Sequence, residues 1–428
     1  MIIHTTVNNF IILLINLLTS ILAARLLGTD GRGQLALVLL YPQMIATMGL
    51  LGLDRGIAII GGQKRLNYPV ASTTGLAMML SMPVMLISYF IITDNILNPS
   101  LEKLSLIYIF YVPALYLFMF SGSLFNGLGM FFEYNLSRLY FYGSYLVLII
   151  VFWLADMPYL DSFVYASLLS VYTAMLVSMV LHLKVWRRRA FEGVRWLWMP
   201  GNFFKDVALI FRKAFVFVVP GVLLVVATKL DQIIVSGYLE LKYLGFFVVY
   251  MAYSLLLGPI VNAVSVNIFH LGVINSKNNI AKIVRLTIFI YICGSILLVL
   301  LAPFLIELLY GELYLEHIDT ARLLVLSSFL FFCSKTINEF MMGKSMVRQD
   351  VIASVIFMVF LLFFTNLLIP ELSLFGVAIS MVIANAIRSF YLGIVFHQSS
   401  GIRLPELLFV RVKDLKWIIL LLRRVIKV

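Results

Sequence analysis

The stretch 214-AFVFVVPGVLLVVATKLDQIIVSG-237 decides the fold class of this chain. A helix rises about 1.5 Å per residue, so this run is long enough to cross the roughly 30 Å apolar core of a bilayer. Backbone polar groups in lipid must bond to one another, which leaves only helices or a closed barrel as spanning structures. The apolar residues run continuously instead of alternating with polar ones, and this pattern favours a helix.

The rest of the chain repeats this pattern. Of 428 residues, 62% are hydrophobic and 12% are charged, against about 25% charged in an ordinary soluble domain. We therefore predict an all-α polytopic membrane protein with two parallel six-helix bundles around a central cavity. The twelve predicted spans are 5–27, 34–54, 70–92, 104–126, 134–154, 162–185, 214–237, 243–268, 281–303, 319–342, 351–369 and 374–397.

The basic residues predict the orientation. Most of the 32 Lys and Arg residues fall in alternate loops and in the C-terminal tail. The positive-inside rule places these segments, and both termini, in the cytoplasm. The net charge of +12 is thus explained by topology, and nucleic acid is not expected as a partner. The basic, aromatic segments are expected on the surface of the membrane, against anionic lipid.

The largest inside loop divides the chain into two halves of six spans. We expect four segments: an N-terminal bundle at 1–186, a basic cytoplasmic loop at 187–213, a C-terminal bundle at 214–398 and a basic membrane-surface tail at 399–428. An even number of spans in each half gives both halves the same orientation, which predicts a parallel repeat.

Two pairs of short segments support a duplication. The connection 27-LGTDGRG-33 corresponds to 239-LELKYLG-245, with Gly33 and Gly245 separated by 212 positions. The connection 127-GLGMFFEYN-135 corresponds to 343-GKSMVRQDV-351 at an offset of 216. The nearly equal offsets, with the basic loop between them, favour a repeat over chance matches of glycine at helix ends.

No cofactor, metal site or catalytic group is predicted. The five His and two Cys residues are scattered, without the spacing of metal ligands. The triplet 343-GKS-345 ends like a nucleotide-binding loop, but Asn338 stands where that motif requires glycine. We therefore expect neither a nucleotide nor an enzymatic activity.

Two segments resemble bacterial polysaccharide-exporting flippases, the polysaccharide transporter branch of the multidrug/oligosaccharidyl-lipid/polysaccharide exporter superfamily. They are 20-SILAARLLGTDGRGQLALVLLYPQMIATMGLLGLDRGIA-58 and 228-TKLDQIIVSGYLELKYLGFFVVYMAYSL-255. The chain departs from many members in having twelve spans where they have fourteen, and Phe246 where they have tyrosine.

This resemblance implies a function. The protein would move undecaprenyl-diphosphate-linked oligosaccharide from the cytoplasmic to the periplasmic leaflet of the bacterial inner membrane by alternating access, for O-antigen, capsule or exopolysaccharide synthesis. Its partners would be that lipid-linked oligosaccharide, membrane lipids and other membrane proteins of polysaccharide assembly.

Lys229 and Asp231 are the charges that the opening stretch has to accommodate. A charge at the centre of a bilayer costs at least about 2.5–3.5 kcal/mol and therefore normally faces the interior of a bundle. The two side chains point about 200° apart around a helix, so each needs its own partner. We predict that Lys229 lines a cavity that receives a diphosphate and that Asp231 serves coupling or gating. A buried interhelical ion pair is the alternative for both.

Further charged and polar residues inside spans are candidates for the same cavity. Lys335 and Glu339 share a helix face, and Glu339 is either a coupling residue or the neutralising partner of Lys335. Arg388 either faces the cavity or extends to the membrane surface. The complete set of predicted substrate-binding residues is Asn16, Arg25, Lys229, Lys335 and Arg388, with Asp231 and Glu339 for coupling or gating.

Three other functions compete with this prediction. A drug/cation antiporter of the same superfamily should carry more acidic than basic residues in its spans, whereas Lys229, Lys335 and Arg388 outnumber Asp231 and Glu339. A peptidoglycan-precursor flippase would work by a similar mechanism. A membrane glycan polymerase or ligase would resemble proteins with a large periplasmic loop, and the outside connections here are short.

Overall fold

The computed structural model describes residues 2–62, 70–96, 98–190, 200–261, 264, 265, 268, 277–344 and 346–402. Within these ranges the regular secondary structure is helical, which confirms the predicted fold class. The chain divides into two compact units, residues Met1–Val248 and Val249–Val428.

The first unit contains eight complete helices and the start of a ninth. They are α1 (Ile2–Gly49), α2 (Leu53–Gly62), α3 (Val70–Asn95), α4 (Pro99–Tyr108), α5 (Tyr111–Gly127), α6 (Phe131–Leu154), α7 (Tyr159–Ala190), α8 (Pro200–Tyr238) and α9 (Leu241–Ser254). The second unit continues with α10 (Lys277–Tyr310), a 3₁₀ turn (Glu312–Leu315), α11 (Ile318–Gly343) and α12 (Val347–Ser400).

The described residues include nine helices that are long and apolar enough to cross a membrane, with α4 and α5 counted together as Pro99–Gly127. Two of them each hold two predicted spans: α1 turns at Gly28, where φ is 64°, and α12 turns at Ser373, where φ is 48°. The nine helices therefore carry eleven of the twelve predicted spans. The remaining span, 243–268, includes residues outside the described ranges.

Helix α2 is not among the predicted spans, because its ten residues are too few to cross a bilayer. Leu51 (φ 48°) and Gly52 (φ 67°) make a tight turn after α1. The buried residues of α2 recur with the spacing of one helix face. Gly56 on this face packs against α8 and Gly61 packs against α5. The short helix is thus held between two spanning helices.

Helix α8 begins at Pro200, well before the predicted start of the seventh span at residue 214. Its first turns pack on α3, where Ser72 Oγ donates a 2.7 Å hydrogen bond to Asp206 Oδ2. Part of the segment predicted as an inter-bundle loop is therefore helical. Residues 191–199 of that loop and 403–428 of the tail lie outside the described residues, so their predicted location on the membrane surface stays a prediction.

The two connections matched by the sequence repeat meet each other in the first unit. A Cβ added to Gly33 would overlap the Leu241 carbonyl group, lying 2.7 Å from its carbon. A Cβ added to Gly245 would overlap the Thr29 carbonyl group, lying 2.9 Å from its carbon. Residue 241 is 212 positions after 29, just as 245 is 212 after 33, so the contact is reciprocal. An approximate two-fold axis between the two connections would produce such a contact, and the repeat of the whole halves stays a prediction.

The second unit has its own core. Tyr250 donates a 2.8 Å hydrogen bond to the Tyr314 carbonyl oxygen, and Tyr253 donates one of 2.6 Å to the Leu298 carbonyl oxygen. Apolar residues of α10, α11 and α12 form a buried cluster that includes Val284, Phe340 and Phe396. Buried tyrosines thus find backbone acceptors, as buried hydroxyl groups require.

Candidate functional site

A cavity of about 660 Å³ lies within the first unit. Helices α1, α2, α5, α6 and α8 form its walls. Its volume falls in the range of about 300–1,000 Å³ that is usual for ligand sites. The residues with polar side chains that line it are Gln43, Thr47, Asp54, Arg55, Tyr111, Ser123, Asn126, Tyr134, Ser137, Arg138, Tyr142, Thr228 and Lys229.

The charges on the lining are mostly positive. Arg55, Arg138 and Lys229 oppose a single acidic residue, Asp54. The formal charge of the lining is therefore +2 (three cations minus one anion). A cavity walled by apolar helices strengthens this field, because the effective dielectric constant there is well below that of water.

Aromatic neighbours and one amide hold the two arginines. Arg138 Nη1 donates a 3.0 Å hydrogen bond to Asn9 Oδ1, and its guanidinium carbon lies 5.4 Å from the centre of the Tyr134 ring. The guanidinium carbon of Arg55 lies 5.4 Å from the centre of the Phe217 ring. Neither arrangement neutralises the positive charge, so both guanidinium groups keep donors for an anionic ligand.

Lys229 lines the cavity from α8 and Asp231 does not. Among the described residues, Lys229 has no hydrogen-bond acceptor and no carboxylate within ion-pair distance. The Asp231 side chain is only 5% exposed, and its Oδ1 accepts a 2.8 Å hydrogen bond from the Gln232 backbone N–H. The two charges of the opening stretch thus have different surroundings, with the lysine at a cavity and the aspartate packed among helices. A substrate role for Lys229 and a coupling role for Asp231 stay predictions.

Asn16 and Arg25, the other candidates of the first unit, lie elsewhere. Both side chains are exposed on α1, and neither lines the cavity. The Asn16 carbonyl oxygen accepts a 2.9 Å hydrogen bond from Thr19 Oγ1. The structure therefore does not bring Arg25 to the cavity with Lys229.

Arg388 belongs to the second unit and is buried, with only 7% of it exposed. Its Nη2 lies 4.0 Å from Asp350 Oδ1, and its guanidinium carbon lies 5.6 Å from the centre of the Phe331 ring. Asn338 Nδ2 donates a 2.8 Å hydrogen bond to the same Asp350 oxygen. Arg388 therefore packs between helices α11 and α12, and a role for it in substrate binding stays a prediction.

Lys335 and Glu339 also lie in the second unit, on α11, and both side chains are partly buried. Their charges interact along the helix. This neutralising interaction is one of the two alternatives that the sequence leaves open for the pair. A role in substrate binding or coupling stays a prediction for both.

Sequence reasoning misses Arg55 and Arg138 as cavity residues. Neither is among the predicted substrate-binding residues, because the sequence does not predict α2 and because Arg138 lies close to the start of a predicted span, where a charge costs little. The usable signal is Arg55 directly after 52-GLD-54, at the end of a segment that resembles the family. In the described residues, no group of three or more His, Cys, Asp or Glu side chains could hold a metal ion.

Of the comparisons with known proteins, the one with solved structures finds matches. No protein-family model matches the sequence, and no curated protein matches it. Among solved structures, the chain is similar to an inward-facing multidrug resistance MATE family transporter of the MOP superfamily, with a TM-score of 0.74, 14% identity, and coverage of 91% of this chain and 94% of that one. It is equally similar to the lipid II flippase MurJ in an inward closed conformation, with a TM-score of 0.74, 16% identity, and coverage of 96% and 89%.

An outward-facing MATE transporter of the same superfamily gives a TM-score of 0.66 at 15% identity, with coverage of 93% and 94%. The chain therefore has a fold similar to that of these multi-pass membrane proteins. These structural relatives are transporters and flippases, and none of the three described is an enzyme. At such low identity the likeness concerns the fold and leaves the substrate open.

Proposed function

We propose that the protein is a flippase that moves undecaprenyl-diphosphate-linked oligosaccharide across the bacterial inner membrane by alternating access. The observation that carries this proposal is the charge of the cavity, where Arg55, Arg138 and Lys229 face one acidic residue. A diphosphate taken from water into such a site would otherwise lose its hydration without compensation. Two arginines and one lysine supply charge-assisted hydrogen bonds in its place.

The two superfamily alternatives predict other substrates. A drug/cation antiporter needs a cavity that attracts cations, and a lining of formal charge +2 repels them. A peptidoglycan-precursor flippase would also bind a diphosphate, so charge alone does not separate it from a polysaccharide flippase. The resemblance of 20–58 and 228–255 to polysaccharide exporters favours an oligosaccharide destined for O-antigen, capsule or exopolysaccharide.

Reconstituted vesicles test the proposal with three probes. Purified protein is placed in vesicles with undecaprenyl-diphosphate-linked oligosaccharide extracted from the source cells, with lipid II, or with the cationic dye ethidium. We expect the oligosaccharide lipid to cross faster than in protein-free vesicles, and lipid II and ethidium to cross at the protein-free rate. Selective movement of lipid II would replace the proposal with a peptidoglycan-precursor flippase, and ethidium movement would replace it with a cation exporter.

A further inference from the structure

Helices α5 and α6 line one side of the cavity with aromatic residues. Five aromatic residues of these helices line the cavity: Tyr111, Phe118, Tyr134, Phe141 and Tyr142. We call this set the aromatic wall. Phe118 and Phe141 stack across the two helices with ring centroids 5.5 Å apart and planes at 24°. Tyr142 meets Phe141 edge to face, with centroids 4.9 Å apart. The rings therefore brace each other in fixed orientations.

The tyrosine hydroxyls of this wall are not used by the fold. Two tyrosines of the first unit that do not line the cavity have partners: Tyr116 donates a 2.9 Å bond to the Ala46 carbonyl oxygen, and Tyr108 shares a 2.8 Å bond with Ser167. By contrast, the hydroxyls of Tyr111, Tyr134 and Tyr142 make no hydrogen bond with any described residue. Tyr111 is buried and the other two are partly buried, and buried hydroxyls normally find a partner.

Tyr111 is the clearest case of a tyrosine that is packed by its ring but has no hydrogen bond to its hydroxyl. The residue is only 7% exposed, and its ring stacks on the buried Tyr108 ring with centroids 4.9 Å apart. One face of Tyr111 is thus fixed by packing, while the residue lines the cavity and its hydroxyl has no hydrogen-bond partner among the described residues. Ser123 and Asn126 on the same helix also line the cavity, and their side-chain polar atoms likewise make no hydrogen bond with the described residues.

Apolar rings combined with unused hydroxyl and amide groups suit one kind of ligand. A sugar ring has apolar C–H faces that pack on aromatic rings, and a rim of hydroxyls that both donate and accept hydrogen bonds. A diphosphate offers acceptor oxygens, for which the three cations are the stronger partners, but it has no apolar face for the rings and no donor for the Asn126 side-chain oxygen. The wall therefore has a chemistry that a diphosphate alone does not explain.

We infer that the aromatic wall recognises the sugar next to the diphosphate, so that the cations bind the charge common to all such lipids and the wall selects the glycan. This inference rests on the proposed function and assigns a second part of the same cavity. Specificity follows from unpaired groups: a ligand without matching hydroxyls leaves the tyrosine hydroxyls of the wall unpaired and binds less tightly. Each such hydrogen bond is worth about 2- to 13-fold in affinity.

Equilibrium binding to purified protein in nanodiscs tests the inference with two probes. One is undecaprenyl diphosphate, which carries no sugar, and the other is undecaprenyl-diphosphate-linked oligosaccharide extracted from the source cells. The test variant is the triple change Tyr111→Phe, Tyr134→Phe and Tyr142→Phe, which keeps the rings and removes only the hydroxyls. The matched control is Tyr89→Phe, since Tyr89 is 48% exposed on α3 and does not line the cavity.

We expect the triple variant to lose about 10-fold or more in affinity for the oligosaccharide lipid while its affinity for undecaprenyl diphosphate stays within about 2-fold. Tyr89→Phe should leave both affinities unchanged. Phe141→Leu should also weaken binding of the oligosaccharide lipid and leave binding of undecaprenyl diphosphate unchanged, because it removes a stacking ring and no hydroxyl. Equal binding of the oligosaccharide lipid by the triple variant and the wild type would overturn the inference.

The result that would contradict the proposed function differs from the one that would contradict the role of the aromatic wall. If the wild-type protein binds neither diphosphate lipid better than undecaprenol, which carries no charge, the cationic site itself is wrong. If the wild type prefers the oligosaccharide lipid and the tyrosine variants keep that preference, the flippase stands and the aromatic wall is only packing. The two failures are therefore distinguishable in one set of measurements.

Discussion

Replacing Gly33 with alanine should separate the two connections that meet in the first unit. The new Cβ would lie 2.7 Å from the Leu241 carbonyl carbon and overlap its oxygen. Ordinary contacts begin at 3.4 Å, so the backbones have to move apart by at least 0.7 Å (3.4 minus 2.7). The obstacle is main chain on both sides and no rotamer change relieves it. We expect a loss of about 3 kcal/mol in the free energy of unfolding, the upper part of the range for overpacking.

The reciprocity of the contact gives this prediction a sharper form. Gly245→Ala should cost a similar amount, because its Cβ meets the Thr29 carbonyl group. Once one substitution has pushed the connections apart, the second meets less resistance. The double variant should therefore lose clearly less than the sum of the two single variants, with a coupling of about 1 kcal/mol or more.

Unfolding of the purified protein in mixed micelles, titrated with a denaturing detergent, measures all three variants. Gly237→Ala on α8 is the control, since a Cβ there meets nothing within 4 Å, and alanine in an open helical position should be neutral or stabilising by about 0.5–1 kcal/mol. A Gly33→Ala protein as stable as Gly237→Ala, or strictly additive costs in the double variant, would refute the reciprocal contact.

Three further predictions concern the second unit, the topology and the energy source. Asp350→Asn should destabilise the protein by about 2 kcal/mol, because it leaves the buried Arg388 charge without its carboxylate. Asp319→Asn should cost less than about 1 kcal/mol, because its pair with Arg322 is exposed. Equal unfolding midpoints for the two variants would contradict this prediction. A reporter fused after Arg189 or at the C-terminus should read cytoplasmic and one inserted within 311–319 periplasmic, and reversed signals would overturn the predicted orientation. Vesicles without ATP should transport as fast as vesicles with it, and ATP hydrolysis by purified protein in proportion to transport would contradict the absence of a nucleotide site.

The helical fold is predictable because hydropathy and length depend on neighbouring residues alone. A run such as 214–237 has to be a spanning helix whatever surrounds it. The correspondence of Gly33 and Gly245 is also readable, since they hold matching places in similar connections, although the sequence does not reveal that the two connections touch. Helix α2 is not predicted, because its ten residues are held by packing against α5 and α8 and the hydropathy of a short segment does not reveal such contacts.

The site is only partly predictable for the same physical reason. A charge inside an apolar run stands out by its cost, so the sequence alone is enough to identify Lys229 as a cavity candidate. Arg55 and Arg138 stand near predicted span ends, where a charge costs little, and only tertiary packing brings them to the same cavity. Arg388 also stands out inside its span, but its carboxylate partner Asp350 lies 38 positions away (388 minus 350) and leaves no periodic signal.

The most direct test of the account is flipping of undecaprenyl-diphosphate-linked oligosaccharide by the Lys229→Gln protein in vesicles. This change keeps a polar side chain of similar length and lowers the formal charge of the cavity lining from +2 to +1. Loss of one charge-assisted contact, worth about 1.5–3 kcal/mol, predicts transport reduced by about 10- to 150-fold. Lys229→Arg should retain part of the activity, and Lys205→Gln, an exposed lysine on the same helix, should retain all of it. A Lys229→Gln protein that is inserted at normal levels and flips the lipid at the wild-type rate would contradict the central claim that this cavity carries the diphosphate.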